Sequence, residues 1–443
     1  MKTYNYFIFS LFVFGDYVLE DLLDKKDIER VLLIDPAFPI ANKSRNHKDL
    51  LPVGLLKIST YLKSRGIKTT LIRLNNHESF DDFILNFNPD LVMITSVFTY
   101  WFDEVKEAVD YSKKLLPKIP IIVGGVLASL LPEVCKKEFD CYIQEGVIGC
   151  AEHLKPDYSL LENNGEDINF QIIHSSRGCK RKCGFCGVYK IEPHFLGVSS
   201  IKDEIIRKNL VFYDNNFLRN PHVETLLNEL IELKKEKKIT KCESQSGFDG
   251  RILRRNPNLA KLLKEANFKD PKIAWDGPYK AYENRAKEIQ VLEDAGYSRK
   301  EIAVFMIYNH DELDYNELED KRAFLFNQGV QVSDCRYRPL DRLDDGYNPH
   351  ARKPQTNEEY HISPNWTDEE VRQFRRNVRR HNICIRHGMK YHSRMAERKK
   401  ISKEESMKVR ELDYDDAKKI LKDAWNPAEA HHIKKESKQS TLI

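Results

Sequence analysis

The sequence predicts an α/β protein: an N-terminal doubly wound parallel sheet, then a partial (β/α)6 barrel, then a basic, partly helical C-terminal extension. Three observations predict it. Residues 30–146 alternate five short apolar runs with amphipathic segments. Residues 170–334 do so again with six runs, and from about residue 340 the alternation stops. A parallel pair of strands needs a crossover, usually a helix, so this alternation reads as parallel sheet and not as hairpins.

In the first series the strands are expected at 31–34, 70–74, 91–95, 119–123 and 141–144. The helices between them are expected at 53–63, 80–87, 102–116 and 130–136. Ligands in such sheets sit beyond the carboxyl ends of the strands. The chain is loop-like at those ends, in Asp35-Pro36-Ala37-Phe38-Pro39, Ser96-Val97-Phe98-Thr99, Gly124-Gly125 and Glu145-Gly146. Residues 151–168 are polar and turn-rich and read as an interdomain linker.

In the second series the strands are expected at 170–174, 210–213, 240–243, 272–275, 302–307 and 330–334. Helices are expected near 202–208, 223–237, 259–266, 282–295 and 315–327. Six strands with five helices read as an incomplete barrel, whose functional loops follow the strands. A last helix is expected over 366–382, capped by Thr367, with Asp368, Glu369 and Glu370 in its first turn. The domains expected are therefore an extension at 1–29, a first domain at 30–155, a linker at 156–168, a barrel at 169–340 and an extension at 341–443.

Composition excludes several classes. Of 443 residues, 41% are hydrophobic and 32% charged, which excludes a wholly disordered chain. The formal net charge is only +4, which does not mark the whole chain as a nucleic-acid binder and leaves room for a local basic patch. No apolar run approaches the ~20 residues of a membrane span. The apolar segment 4–14 is followed by Asp16, Glu20, Asp21 and Asp24 and lacks a small-residue cleavage site. It reads as an extra strand or docked segment and not as a signal sequence, so a cytoplasmic location is expected. Nine cysteines make a disulfide framework unexpected.

Three of the cysteines, Cys179, Cys183 and Cys186, lie within eight residues, directly after the first strand of the second series. Three thiolates can hold three irons of a 4Fe-4S cluster and leave the fourth iron open to a substrate. Arg177, Lys180, Arg181 and Lys182 place positive charge near the thiols, which favours thiolate. Gly178, Gly184 and Gly187 allow a tight wrap. The competing reading is a non-catalytic zinc-binding interaction module with His174 or His194 as fourth ligand, although no second cysteine pair lies nearby.

The CxxxCxxC spacing with Phe185 before the third cysteine resembles the radical S-adenosylmethionine (radical SAM) superfamily. The string SRGCKRKCGFC resembles the branch with a cobalamin-binding-type, Rossmann-like domain before the barrel. DPAFP, LPVGLLKISTYLKSRG, GGVLASLLPE and PDYSLL resemble stretches of such domains in that order. The resemblance implies a 4Fe-4S cluster on the three cysteines, SAM on its open iron, and a 5′-deoxyadenosyl radical that abstracts hydrogen from an unactivated carbon. It further implies cobalamin, methyl transfer to that carbon, and a one-electron donor of flavodoxin or ferredoxin type. The alternative within the class is a cobalamin-free rearrangement, cyclisation or oxidation.

The resemblance also directs attention to the barrel rim. The loop after the second strand contacts the SAM amine in that family, and here it carries Asp214 and Asn215. Gln245, Asp249 and Arg251 follow the third strand, where small polar residues approach ribose or carboxylate and a guanidinium grips a carboxylate. Asp276 sits in a Trp275-Asp276-Gly277 string that similar barrels carry. Tyr308 and Arg336 end the fifth and sixth strands and read equally as structural or functional.

The match to the cobalamin branch is incomplete. The Asp-x-His-x-x-Gly string that supplies a cobalt ligand is absent, and Leu127 stands where relatives often have His. Any cobalamin is therefore expected to receive no imidazole from the first domain. Finally, residues 371–400 carry eleven Lys or Arg against one acid, Glu397. Arg372, Arg375, Arg376, Arg379 and Arg380 are expected to form a basic helix face, either simply solvated or contacting an anionic macromolecule.

Overall fold

The computed structural model of the protein describes residues 18–39, 50–75 and 79–388. The apolar segment 4–14, the basic stretch beyond 388 and the polar C-terminal end lie outside the described residues. The chain divides into two compact units, one of residues up to 246 with 338–346, the other of 247–337 with 347 onward.

The first unit contains a five-stranded sheet with β1 at Arg30–Asp35, β2 at Lys68–Arg73, β3 at Leu91–Ser96, β4 at Ile121–Gly125 and β5 at Tyr142–Gln144. Its order is β2-β1-β3-β4-β5 and every pairing is parallel. The apolar runs were legible because these strands are covered on both faces. Val31, Leu33, Leu91 and Met93 enter one core with Leu55, Leu56 and Leu62 of helix Val53–Ser64. Leu32, Ile34, Val92 and Ile94 enter the other with Val105, Ala108 and Val109 of helix Phe102–Leu115. Helix Val18–Lys25 adds Leu19 and Leu22 to the first core.

The segment expected as a linker is instead built into this unit. Tyr158, Leu160 and Leu161 are buried in the first core, and the Tyr158 hydroxyl accepts from Ile172 N at 2.8 Å. Asp157 accepts from Ser59 Oγ at 2.7 Å and from Lys63 Nζ at 2.6 Å. Polar composition suggested a linker, but these polar groups bond helix Val53–Ser64.

The second series forms two sheets of three parallel strands. In the first unit β6 (Gln171–Ile173), β9 (Asn209–Phe212) and β10 (Lys241–Ser244) pair in the order β10-β9-β6. The short strands β7 (Ser176–Arg177) and β8 (Leu196–Gly197) pair antiparallel within the β6-to-β9 crossover. In the second unit β11 (Lys272–Ala274), β12 (Ala303–Tyr308) and β13 (Gln331–Arg336) pair in that order. Also in the second unit, Phe248 makes an isolated parallel bridge to Ile273 of β11. The helix expected near 202–208 is only a single turn, Lys202–Glu204. The Gln171 side chain takes its place, donating to Glu204 O at 2.8 Å and accepting from Ile206 N at 2.9 Å.

The C-terminal helix runs Asp368–His387 and begins with the expected Thr367 cap, which Glu370 completes as a capping box. The expected five-arginine face is not what forms. Arg372 and Arg380 are buried, Arg376 is half-buried, and Arg375 and Arg379 are exposed. Arg372 pairs with Asp368 at 2.9 Å and donates to the carbonyls of Ala351 at 2.7 Å and Lys353 at 3.3 Å. The irregular segment before the helix covers that side, which arginine counting along one strand of sequence cannot register.

Candidate functional site

The three-cysteine loop leaves the carboxyl end of β6 through His174 and Ser175 and is closed at its neck by β7 and β8. Gly178 has φ +76, and a Cβ there would collide with the His194 carbonyl oxygen, so this position requires glycine. Cys179, Cys183 and Cys186 are all half-buried. Cys186 N donates to Cys183 O at 3.0 Å, and Asn216 Nδ2 approaches Cys179 Sγ at 3.8 Å. The donors suit a cluster in kind and spacing. As the loop is folded here, however, no three Cys, His, Asp or Glu side chains among the described residues gather as a metal-holding group. The same holds for these thiols with His174 or His194 among the described residues.

Two carboxylates pin the loop. Asp214, fully buried, accepts from Ser175 N at 3.1 Å, Ser175 Oγ at 2.7 Å and Ser176 Oγ at 2.5 Å. Burial raises its pKa, and those hydrogen bonds and Arg177 oppose the rise. Arg177 holds Glu152 with two bonds, at 2.8 and 2.7 Å, and Glu192 with a third at 3.1 Å. Glu192 also accepts from Gly178 N at 2.5 Å and from Asn215 Nδ2 at 2.9 Å. Lys57 pairs with Glu152 at 3.4 Å. Burial disfavours the Glu152 charge, but Arg177 and Lys57 outweigh it and hold its carboxyl below the usual range. Arg177 is thus committed to carboxylates and is not a free charge beside the thiols.

A cavity of about 400 Å3 opens at the carboxyl edge of the five-stranded sheet. Thr95, Gly124, Gly125 and Gln144 wall it on the sheet side, and the start of helix Val53–Ser64 contributes Lys57. Its wall also includes His174, Arg177, Glu192, Tyr213 and Asn215. An order of 2-1-3-4-5 places the crevice beside β1 and β3, and the cavity lies along the ends of β3 and β4. Gly125 has φ +100 and would press a Cβ into the Ser96 backbone, so it is glycine for the turn. Gly124 has no such constraint: its Cβ would meet Gln144 O at an ordinary 3.6 Å. Leu127, in the place of the absent histidine, is a fully buried core residue.

His174 is the imidazole of this cavity. Its ring stands edge-on to Tyr213 at 6.2 Å, and Nδ1 is enclosed without a hydrogen-bond partner among the described residues. Burial, then Arg177, push its pKa well below the usual 6.5, so the ring is neutral.

Of the other expected site residues, Gln245 lies in the first unit, where its N–H extends the β9–β10 ladder to Phe212 O at 2.9 Å and its Oε1 is buried without a partner among the described residues. Asp249, Arg251 and Asp276 lie in the second unit. Asp249 caps helix Gly250–Arg255 and takes the Arg251 fork at 3.0 and 2.9 Å. The carboxylate gripped by Arg251 is thus its neighbour's. Asp276 is half-buried, and its charge acts on Arg285 and Lys321. Tyr308 is fully buried, and the Arg336 guanidinium lies over the Tyr347 ring at 4.3 Å. Lys57, Glu152 and Glu192 went unnoticed in the sequence because each is a lone charge whose partner is set by the fold.

Residues 45–155 match the family model of the B12 binding domain. Among solved structures the chain is similar to the apo, selenomethionine-labelled cobalamin-dependent S-adenosylmethionine radical enzyme OxsB, at 15% identity and TM-score 0.39. That match covers 82% of this chain, which spans only 57% of the OxsB chain. It is also similar to the transcriptional regulator CelR in complex with cellobiose, at 13% identity and TM-score 0.18, over 63% of this chain and 67% of that one. Likeness at those scores carries no argument about activity. No curated protein matches. Among the described residues no helix is long and apolar enough to cross a membrane.

Proposed function

We propose that the protein is a radical SAM enzyme with a cobalamin-binding-type domain, and that it transfers a methyl group to an unactivated carbon. One observation carries the reading. The cavity at the edge of the B12-type sheet is walled on its far side by His174, Arg177 and Glu192, which flank the three-cysteine loop. Corrinoid and cluster would then serve one space.

When bound, the cluster supplies the electron that cleaves SAM to methionine and a 5′-deoxyadenosyl radical, and the corrinoid supplies the methyl group. The chain's own residues hold and orient. Cys179, Cys183 and Cys186 would take three irons, which requires the loop to draw together on loading. Asp214 and Glu192 fix the two ends of that movement through Ser175, Ser176 and Gly178. Gly124 leaves the sheet edge open to a large ligand. Asn215 lines the cavity, which keeps it as a SAM contact in this reading; Gln245, Asp249, Arg251 and Asp276 are assigned to SAM by resemblance alone.

The test is anaerobic reconstitution with iron and sulfide, followed by dithionite and SAM. 5′-Deoxyadenosine should form, and replacing all three cysteines with Ala should abolish it. Product from the triple variant, or uptake of zinc in place of iron, would overturn the cluster assignment. SAM cleavage without any hydroxocobalamin binding would replace methyl transfer by a cobalamin-free rearrangement, cyclisation or oxidation.

A further inference from the structure

The histidine expected to serve cobalt is missing from the first domain, yet the cavity contains an imidazole from elsewhere. His174 stands at the carboxyl end of β6 and lines the cavity opposite Gly124 and Gly125. The polar groups around it are already committed: Glu152 to Arg177 and Lys57, Glu192 to Arg177, Gly178 and Asn215, and Asp214 to the two serines. His174 Nδ1 is enclosed without a hydrogen-bond partner among the described residues, as is Gln144 Oε1 in the same wall. Buried polar groups in folded proteins find partners, and with Nδ1 enclosed it is Nε2 of this cavity-lining imidazole that is left to a partner in the cavity. A neutral imidazole offers a nitrogen lone pair and is the commonest protein ligand to a transition metal.

We propose that His174 is the protein's nitrogen ligand to the cobalt of a corrinoid held in this cavity, in place of the missing first-domain histidine. The inference rests on the corrinoid reading of the cavity. It makes the cysteine-loop neck, and not the B12-type domain, the source of the axial ligand, so corrinoid binding and loop position are coupled through β6. A hydrogen bond from His174 to a side-chain amide of the corrinoid would be a different outcome, and the test separates the two.

The probe is cob(II)inamide, which carries no nucleotide base, so any axial nitrogen must come from the protein. The full chain is loaded anaerobically, desalted, and its electron paramagnetic resonance spectrum recorded. The expected result is a three-line nitrogen splitting on the cobalt lines, absent from His174→Ala and restored to it by added imidazole. Bound cob(II)inamide without nitrogen splitting, or splitting that survives in His174→Ala, overturns the inference while leaving the corrinoid reading intact. If no corrinoid is retained after desalting, the corrinoid reading itself falls, and the inference with it. Should His174→Ala fail to fold, nitrogen-15 histidine in the unaltered chain decides: the triplet must become a doublet, and an unchanged triplet overturns the assignment.

Discussion

Glu152 shows how one buried carboxylate can hold a site together. It neutralises Lys57 and Arg177 at once, and all three side chains lie at the wall of the cavity. Removing one member of such a group leaves uncompensated buried charge, which costs about 3–5 kcal/mol. Glu152→Ala should therefore lower the free energy of unfolding in urea by that amount, whereas an exposed control such as Glu133→Ala should change it by less than about 0.5 kcal/mol. The pH dependence has a definite sign. Arg177 and Lys57 depress the Glu152 pKa below its ordinary 4.5 despite burial, so the folded state binds this proton less readily than the unfolded one. The stabilisation is complete above about pH 4.5 and is lost as the pH falls below it. Glu152→Gln should start less stable at pH 7 and lose less on going to acid; an unchanged acid slope would show that the carboxylate is not coupled to the two cations. Asp214 differs, because its partners are neutral serines. Asp214→Ala strands three donors and should cost about 2–4 kcal/mol in the same urea measurement.

At the scale of elements, what could be read from the sequence was what local pattern dictates. Strands buried on both faces announce themselves as continuous apolar runs, and all eleven strands expected from them are present within one or two residues of the expected ends. The Thr367 cap was equally legible, since Ser or Thr with Glu three residues on is a local chemical arrangement. What failed depended on contacts distant in sequence. Gln171 replaced a helix near residue 204, Ser59 and Lys63 recruited Asp157 from a supposed linker, and Asp368 with two carbonyls drew Arg372 inward. The three cysteines were plain in the sequence, but the carboxylates pinning their loop were not. The C-terminal helix gives the sharpest test of this difference. Arg372→Gln should destabilise the protein by about 3 kcal/mol, since it leaves Asp368 with only the Tyr360 hydroxyl and removes the donor to two carbonyls. Arg379→Gln, on the exposed side, should be silent within about 0.5 kcal/mol. If an anionic partner binds this helix, changing the exposed Arg379 and Arg386 together should flatten the salt dependence of binding to a polyanion such as heparin without lowering the thermal midpoint. Equal stability losses at 372 and 379 would mean the helix is not seated as described.

For the molecule as a whole, the division of labour follows the two compact units. The first contains the B12-type sheet, the cavity and the cysteine loop; the second contains Asp249, Arg251 and Asp276, with the Asp249 and Arg251 side chains bonded to each other. Corrinoid binding should therefore be governed by the first unit and read out as stabilisation of the full chain. A ligand that binds only the folded state adds about 2.7 kcal/mol at a hundredfold excess over Kd, so hydroxocobalamin should raise the thermal midpoint in a concentration-dependent way. Gly124 separates this effect from general stability. It is not held in a left-handed conformation, and a Cβ there would make only ordinary contact with Gln144, at a position that lines the cavity. Gly124→Leu should leave the ligand-free midpoint nearly unchanged and abolish the shift with hydroxocobalamin. Gly125→Ala should do the reverse: it forces a Cβ against Ser96 at φ +100 and should lower the ligand-free midpoint, by about 1–3 kcal/mol of stability, before ligand is added. A Gly124→Leu protein that still gains stability from hydroxocobalamin would place the corrinoid outside this cavity.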